Sequence, residues 1–317
     1  MGGSGDESPA QAGRGTADAG SAGRILFVRN PAAGSADAWE RVADRLEGEA
    51  RIEVVETESP DEATELAHAS RTPDTTAVVA AGGDGTVHAL VQGLATRGDA
   101  PALGIVPLGT GNDLSRVLSI PEDPVEAVEA ALAGGTRRID VIELERDDVR
   151  EYVVNACSGG FGGEVTSRID EEMKETWGRL AYLRVAFAEM TSPPVYDLFL
   201  SIDGEPEERW EAHEVVLANG SYVGGGIPLV PDGSPDDGRL DLVLVRPGPR
   251  RKILGLLPAL LRGDEPDSDL FFTARCETVE LRSRPEMTVS VDGEAGRASS
   301  LRARIRPSAL DVLVPPS

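Results

Sequence analysis

From Arg24 onward, short runs of apolar residues alternate with stretches whose apolar residues recur at helical spacing. The apolar runs are RILFVRN, RIEVVET, TAVVAAGG and ALGIVPLG, and helical stretches separate them near residues 36–48, 60–70 and 86–96. Runs this apolar are typical of strands covered on both faces, and their alternation with helices predicts a parallel sheet. We therefore expect a doubly wound α/β domain over residues 24–138, with ligands at the carboxyl ends of its strands.

After about residue 138 the pattern changes to strands joined by hairpin turns, as in RIDVIELER, VYDLFLSIDGE, RLDLVLVRP and EMTVSVDGEA. One helical stretch, residues 171–190, interrupts these strands. The pattern predicts a β-rich domain over residues 139–317, an antiparallel sandwich or flattened barrel, with room for the last strand to return to the first domain. Residues 1–23 hold almost no large apolar side chains, so we expect a disordered tail there.

The net charge of the chain argues against strongly anionic partners. The chain has 55 acidic residues against 31 basic ones, a formal charge of −24, and only two lysines, Lys174 and Lys252. An acidic excess spread along the whole chain argues against general attraction to nucleic acid or anionic lipid. Acidic, lysine-poor surfaces resemble those of proteins from salt-loving organisms, which is the interpretation we favour over an ordinary acidic cytosolic protein.

Cysteine and hydropathy patterns place the protein in a reducing, aqueous compartment. Cys157 and Cys276 are the only cysteines, so neither a disulfide framework nor a zinc site is expected. No basic start followed by an apolar run opens the chain, and the longest apolar stretch, near residues 253–261, contains Pro258. That stretch is far shorter than the roughly 20 residues that span a bilayer, so we expect a cytoplasmic protein.

The segment AVVAAGGDGTVHALVQGL carries the first candidate chemistry, because it places glycines directly between an apolar strand and a helix. Glycines there let backbone N–H groups approach an anion, and the N-terminus of the helix adds partial positive charge. A lone glycine-rich turn capped by Thr86 can equally well be structural. Two further turns favour phosphate binding: Pro-Leu-Gly-Thr-Gly-Asn-Asp at 107–113 and Asn-Pro-Ala-Ala-Gly at 30–34 also follow apolar strands, so all three should converge.

Other phosphate-binding signatures are missing. No lysine follows a glycine in a GxxxxGK[ST] pattern, and the HRD and DFG motifs of protein kinases are absent. Phosphate charge would then be met by backbone amides, arginines and Mg²⁺. Asp84 is the carboxylate within the first loop, and two roles stay open for it: holding Mg²⁺ or its water shell, or capping the following helix.

These segments closely resemble the diacylglycerol kinase catalytic-domain family, which includes bacterial lipid kinases and sphingosine kinases. GGDGT at 82–86 and PLGTGND at 107–113 match in order and separation, and the similarity continues through Asn155, the segment 218–245 and Asp292-Gly293-Glu294. It covers about residues 24–315. NAD kinases and phosphofructokinases share only the GGDG-type loop, so the resemblance implies a first domain like theirs and a β-rich second domain.

The resemblance also implies ligands, partners and site residues. The nucleotide would contact Asn30, Pro31, Ala32, Ala33, Gly34, Thr57, Gly82, Gly83, Asp84, Gly85, Thr86, Val87, His88 and Thr110. A structural Mg²⁺ would lie at Ser234, Asp237 and Arg239, with the first and last binding through main-chain carbonyls. Catalysis would fall to Asp84 and to Glu294, which would take the proton from a lipid hydroxyl as the γ-phosphate of ATP transfers.

Two positions make this assignment ambiguous. Asp203-Gly204-Glu205 repeats the tripeptide at 292–294, and either could be a plain Asp-Gly hairpin turn; the family pattern selects Glu294 because it follows the DGRLD strand. His88-Ala89 replaces the Asn-Glu that is common after the GGDGT loop. His88 could donate to a phosphate or ribose, or lie on the helix surface without a role.

Three functions are compared. The leading one is an ATP- and Mg²⁺-dependent kinase of diacylglycerol or a related lipid alcohol, acting transiently at the inner face of the membrane and not on nucleic acid. A kinase of a soluble small molecule, such as NAD or a sugar, is disfavoured by the PLGTGND loop and the 218–245 segment. A non-catalytic nucleotide sensor would lack Asp84 and Glu294. The 171–190 helix either packs on the β domain or rests on lipid, and a homodimer is left open.

Overall fold

The computed structural model describes residues 23–32, 34, 36–95, 100–167, 193–224, 226–261 and 269–316. Residues 1–22 of the predicted tail, the predicted helix at 171–190 and Ala33 lie outside these ranges.

The first half is built on a parallel sheet. Strands β1 (Arg24–Arg29), β2 (Ile52–Glu56), β3 (Thr75–Gly82) and β4 (Ala102–Pro107) lie in the order β4-β3-β1-β2. The helices between and after them are α1 (Ala36–Leu46), α2 (Pro60–Ala69), α3 (Asp84–Leu94), α4 (Asp113–Val117) and α5 (Pro124–Ala133).

Alternate side chains of β1 pack against opposite layers of helices. Leu26 and Val28 belong to the core that includes α2 and α3, whereas Phe27 packs with Val42 of α1 and Val128 of α5. Because both faces of the sheet are covered, its strands are continuous apolar runs. The doubly wound α/β prediction is confirmed.

Local signals set several helix boundaries. Ser59 caps α2 by accepting a hydrogen bond from the Glu62 amide (3.2 Å), and Pro60 occupies the first helical position. Asp123 caps α5 in the same way, followed by Pro124. These are the residue types that satisfy the free amides of a helix start.

The second half is mostly antiparallel. It contains β5 (Gly135–Arg146), β6 (Val149–Val153), β7 (Ala156–Gly160), β8 (Tyr196–Ile202), β9 (Glu208–Ala212), β10 (Glu214–Ala218), β11 (Tyr222–Val223), β12 (Ile227–Pro228), β13 (Leu240–Val245), β14 (Phe271–Cys276), β15 (Thr278–Val291) and β16 (Glu294–Val314). Helices α6 (Phe161–Ser167) and α7 (Arg250–Leu261) lie between these strands. Every pairing among β5–β15 is antiparallel, which confirms the β-rich prediction.

The final strand joins the two halves. Over its 21 residues β16 pairs antiparallel with β15 and β5, and near its end Val312 lies beside Leu103 of the parallel strand β4. One hydrogen-bonded sheet therefore runs through both halves. The predicted domain boundary after residue 138 falls inside β5 and stays a prediction.

Candidate active site

Three turns meet where β1, β3 and β4 end. The Leu108 amide donates to the Gly82 carbonyl (2.9 Å), which joins the second glycine-rich loop to the first. A Cβ added to Gly109 would lie 2.5 Å from the Gly83 Cα, and one added to Gly34 would lie 2.7 Å from the Leu108 carbonyl oxygen. Glycine is needed at these contacts because any side chain would push the turns apart.

Asp84 links the two glycine-rich loops directly. Its carboxylate accepts hydrogen bonds from the amides of Asn112 (2.8 Å) and Asp113 (3.0 Å), at the start of α4. Asn112 adopts a left-handed conformation (φ 52°) that directs these consecutive amides at the carboxylate. The Asp84 side chain thus caps the start of α4. It does not cap α3, because Asp84 is itself the first residue of α3 and Gly83 precedes it. Neither the predicted Asp84 cap of α3 nor the predicted Thr86 cap is present there, since both residues lie inside α3.

The site concentrates negative charge. Burial raises the pKa of Asp84 to about 6, and the neighbouring charge of Asp113 adds to the increase, while the two amides act against it. Asp113 is itself buried. A cation near the two carboxylates would relieve their repulsion, and hard oxygen ligands of this kind suit Mg²⁺.

Most of the described predicted nucleotide contacts are either exposed or buried, while Asn30, Gly83 and Asp84 are half-buried. Pro31, Ala32, Gly34, Gly85 and Thr110 are exposed around the three turns, where a ligand can reach them. In contrast, Gly82, Thr86, Val87, His88 and Thr57 are buried, and Val87 packs in the core with Leu90 of the same helix. Thr86, Val87 and His88 are buried because they lie on the side of α3 that packs on the protein core, whereas Gly85 of the same helix is exposed.

The first turn and the end of β2 are joined by backbone contacts. The Asn30 side chain accepts from the Ala32 amide (3.0 Å), which closes an Asx turn. Thr57 donates through its amide (3.0 Å) and its hydroxyl (3.4 Å) to the Arg29 carbonyl. The guanidinium of Arg29, the last residue of β1, lies 4.6 Å from the centre of the Trp39 ring.

His88 is not on the helix surface, contrary to one of the two sequence interpretations. It is buried, and its Nδ1 lies 3.1 Å from Asp292 Oδ2 while its Nε2 lies 3.3 Å from the Gln92 amide nitrogen. Burial acts to lower the pKa of His88, but the hydrogen bond and charge of Asp292 outweigh it and raise that pKa. With both ring nitrogens facing protein groups, contact with a nucleotide stays a prediction without structural support.

Asp292 organises the turn that carries Glu294. Its side chain is fully buried and accepts hydrogen bonds from the amides of Val154 (3.1 Å), Asn155 (2.9 Å) and Ala156 (3.1 Å). Positive φ angles at Asp292 (46°) and Gly293 (95°) close a two-residue hairpin between β15 and β16. Glu294, the first residue of β16, is exposed.

The competing tripeptide lies elsewhere. Asp203 accepts hydrogen bonds from the amides of Glu277 and Thr278 (both 2.8 Å), at the start of β15, whereas Asp292 follows its end. Fourteen residues of strand separate the two ends, roughly 45 Å at about 3.3 Å per residue. Only the second tripeptide meets α3, the helix that begins in the GGDGT loop.

The predicted metal loop offers oxygen ligands that are partly engaged. Asp237 accepts from the Arg239 amide (2.9 Å), and its other oxygen forms an ion pair with Arg275. Ser234 donates its hydroxyl to Asp236 (2.6 Å). The set fits Mg²⁺ in kind, as one carboxylate with main-chain oxygens, but a cation at Asp237 would have to share that carboxylate with Arg275. Among the described residues no group of three or more His, Cys, Asp or Glu side chains could hold a metal ion.

Sequence reasoning assigned no role to Asp113 or Asp292, although both lie in segments used for the resemblance. Asp113 ends the PLGTGND segment, and a carboxylate at the start of a second glycine-rich turn could have been paired with Asp84. Asp292 precedes Glu294 by two residues, but its contacts with Val154, Asn155 and Ala156 span about 137 positions of sequence. No local pattern signals such contacts.

The fold and the converging loops define an α/β protein in which a GGDG-type loop on a parallel sheet is joined to a β-rich half. The chain belongs to the diacylglycerol kinase catalytic-domain family. The model of the "Diacylglycerol kinase catalytic domain" matches residues 24–144, and that of the "YegS C-terminal NAD kinase beta sandwich-like domain" matches residues 155–314.

Curated relatives agree with this membership, and solved structures share the fold. A protein of Pseudomonas syringae pv. syringae named "Probable lipid kinase YegS-like" is 31% identical over 92% of this chain and 93% of its own; one from Pseudomonas aeruginosa PAO1 with the same name is 32% identical over 92% and 94%. The crystal structure of a "putative diacylglycerol kinase" from Bacillus anthracis has a TM-score of 0.77 at 23% identity, covering 92% of this chain and 97% of that one. An Archaeoglobus fulgidus NAD kinase superposes with a TM-score of 0.50 at 14% identity over 92% and 93%, which extends the likeness in fold to that class.

Within the described part of the chain, no helix combines the length and the apolar character needed to cross a bilayer.

Proposed function

We propose that this protein is an ATP-dependent lipid kinase that phosphorylates a hydroxyl of diacylglycerol or a related lipid alcohol. One observation carries the proposal. The N-terminus of α3 lies at the three converging turns (residues 30–34, 82–86 and 107–113), here called the phosphate cradle, and the Asp292–Glu294 hairpin contacts the side of the same helix. The proposed phosphate site and the hairpin that carries the candidate base therefore both contact α3. Membership of the kinase family and the names of the relatives support a lipid as acceptor.

The phosphates of ATP would lie on the exposed turns around Gly34, Gly85 and Thr110, held by backbone amides and by the partial positive charge at the start of α3. Asp84 and Asp113 would hold the Mg²⁺ that accompanies the nucleotide, directly or through its water shell. When bound, Mg²⁺ supplies positive charge against the phosphate oxygens.

Glu294 would accept the proton of the lipid hydroxyl. The freed oxygen then forms a bond to the γ-phosphorus, the bond from that phosphorus to the β–γ bridging oxygen breaks, and ADP leaves with that oxygen. Exposure keeps the Glu294 carboxylate accessible to a substrate that approaches from a membrane surface.

We further propose that Ser234, Asp237 and Arg239 bind a structural Mg²⁺ in competition with Arg275, and that contact with the inner face of the membrane is transient. A charge of −24 gives no general electrostatic attraction to anionic lipid, so contact would depend on apolar side chains. A cytoplasmic location and a homodimer stay predictions.

Incubation with γ-labelled ATP, Mg²⁺ and a total lipid extract tests the proposal, at high and low KCl. Label should enter the organic phase, and mass spectrometry of the labelled lipid should show one added phosphate. Asp84→Asn serves as the blank for contaminating kinases. Label found only in a water-soluble product would favour a soluble acceptor, and nucleotide binding without any transfer would favour a sensor.

A further inference from the structure

A line of side chains crosses α3 and ends at the hairpin that carries Glu294. Gln92 is fixed by the backbone of Tyr152, since its Oε1 accepts from the Tyr152 amide (2.9 Å) and its Nε2 donates to the Tyr152 carbonyl (2.6 Å). The same Nε2 lies 3.3 Å from His88 Nε2, and His88 Nδ1 lies 3.1 Å from Asp292. Gln92 and His88 belong to α3, so the line anchors that helix to β6 and to the hairpin.

The orientation of Gln92 decides where the proton of His88 lies. Because the Tyr152 backbone supplies one donor and one acceptor, the Gln92 amide can satisfy both only with its N–H groups facing the carbonyl and the imidazole. His88 Nε2 must then accept, which leaves the ring proton on Nδ1. That N–H points at Asp292, so within the described part of the chain His88 donates the one bond to this carboxylate that does not come from the amides of residues 154–156.

We propose that His88 is a positioning residue, which holds Asp292 and thereby sets Glu294 relative to the phosphate cradle. The inference rests on the proposed function, because it assumes that Glu294 acts on a substrate hydroxyl. His88 touches no reacting atom. Its position, one turn beyond Asp84 on α3, means that a shift of the cradle and a shift of the Glu294 hairpin are coupled through the buried His88–Asp292 hydrogen bond, in addition to the sheet that joins them.

The neighbouring groups agree with a dedicated hydrogen bond. Asp292 is buried and accepts four hydrogen bonds from described residues, so loss of the imidazole donor would leave a buried charge with one partner fewer, which costs more than the loss of a partner from an exposed pair. An asparagine side chain at this position could place an amide N–H near where His88 Nδ1 lies. The same role could therefore be filled by either residue.

The test compares His88→Ala and His88→Leu, which lack the donor, with His88→Asn, which keeps one. His68→Ala, at an exposed site on α2, is the matched control. We expect kcat to fall about 10²-fold in the first two variants with KM for ATP within about twofold, since misplacement by about 1 Å has that effect. His88→Asn should recover kcat to within about threefold, and His68→Ala should match wild type.

Hydrogen exchange gives a second readout that needs no activity. In His88→Ala and His88→Leu, the amides of Val154, Asn155 and Ala156 should exchange faster, while His88→Asn and His68→Ala keep wild-type protection. Unchanged kcat in His88→Ala, or equal losses in His88→Asn and His88→Ala, would overturn the proposal. If the wild-type protein phosphorylates no lipid, the proposed function fails. The role of His88 is then judged by hydrogen exchange alone, and unchanged exchange at residues 154–156 in His88→Ala would overturn it. Failure of both apolar variants to fold would make His88 a structural residue and also overturn it.

Discussion

Single carboxylates around α3 have different tasks because their hydrogen-bond partners differ. Asp84 accepts hydrogen bonds from two amides of another loop and has a raised pKa, Asp292 is buried with four donors among the described residues, and Glu294 is exposed. A carboxylate saturated with donors is held in place, while an exposed one can take up a proton. The geometry therefore favours Glu294 over Asp292 as proton acceptor.

The duplicated tripeptide provides a matched comparison at this scale. Glu294→Gln should lower kcat by at least about 10²-fold, because an amide cannot accept the hydroxyl proton, with KM for ATP little changed. Glu205→Gln changes the same residue type in the same Asp-Gly-Glu context at the far end of β15 and should have no effect. Steady-state kinetics with the identified lipid checks both, and wild-type kcat in Glu294→Gln would exclude this residue as the base.

The raised pKa of Asp84 predicts that nucleotide affinity falls as the pH is lowered. With a pKa of about 6, this carboxyl is ionised above pH 6 and becomes protonated below it, so affinity for Mg²⁺-nucleotide should fall about tenfold between pH 7 and pH 5. Calorimetric titration with a non-hydrolysable ATP analogue measures this. Asp84→Asn binds weakly at all pH values and reports titration of the nucleotide itself; an equal pH dependence in variant and wild type would contradict the assignment to Asp84.

At the scale of elements, the cradle depends on backbone contact between two loops. The sequence predicted the helix after GGDGT to begin near residue 86, and α3 begins two residues earlier, at Asp84, directly after Gly83, which lies against Gly109. The predicted strands were recognisable since each is an uninterrupted apolar run. The loop contact was not, because Gly83 and Gly109 are far apart in sequence.

Substitution of two glycines, Gly109 and Gly85, distinguishes a requirement for folding from a requirement for nucleotide binding. Gly109→Ala should destabilise the protein by about 1–3 kcal/mol, since its Cβ would lie 2.5 Å from the Gly83 Cα. Gly85→Ala meets nothing within 4 Å and lies in a helix, so its stability should be unchanged or slightly higher. If phosphates approach this turn, Gly85→Ala should nevertheless weaken ATP binding. Urea unfolding and nucleotide titration distinguish the variants, and a stable Gly109→Ala would show that the loops can separate.

At the scale of the whole molecule, β16 makes the two halves one hydrogen-bonded sheet. The strand begins at Glu294, in the hairpin, and ends beside β4, which is the strand that leads into the PLGTGND loop. Base and cradle are thus connected twice, through the sheet and through His88. Relative motion of the halves would strain both connections.

Net charge predicts the response of this molecule to salt. Exposed pairs such as Arg282–Glu207 contribute at most about 1 kcal/mol each and weaken in salt, but repulsion among 24 excess negative charges is relieved over the whole surface. The melting temperature should therefore rise by several degrees between about 0.1 M and 2 M KCl. Sucrose at matched water activity controls for osmotic effects, and a constant or falling melting temperature would contradict the halophilic interpretation.

The sequence by itself determined the α/β and β-rich halves, the three glycine-rich turns and the family, because hydrophobic period, turn residues and contiguous motifs are local properties. Tertiary structure decided that Asp84 bridges to α4, that His88 is buried, and that the second Asp-Gly-Glu tripeptide is the one beside α3. The reason is physical: His88 and Asp292 are 204 positions apart, and such contacts depend on strand order and register, which place distant residues together without leaving a local pattern.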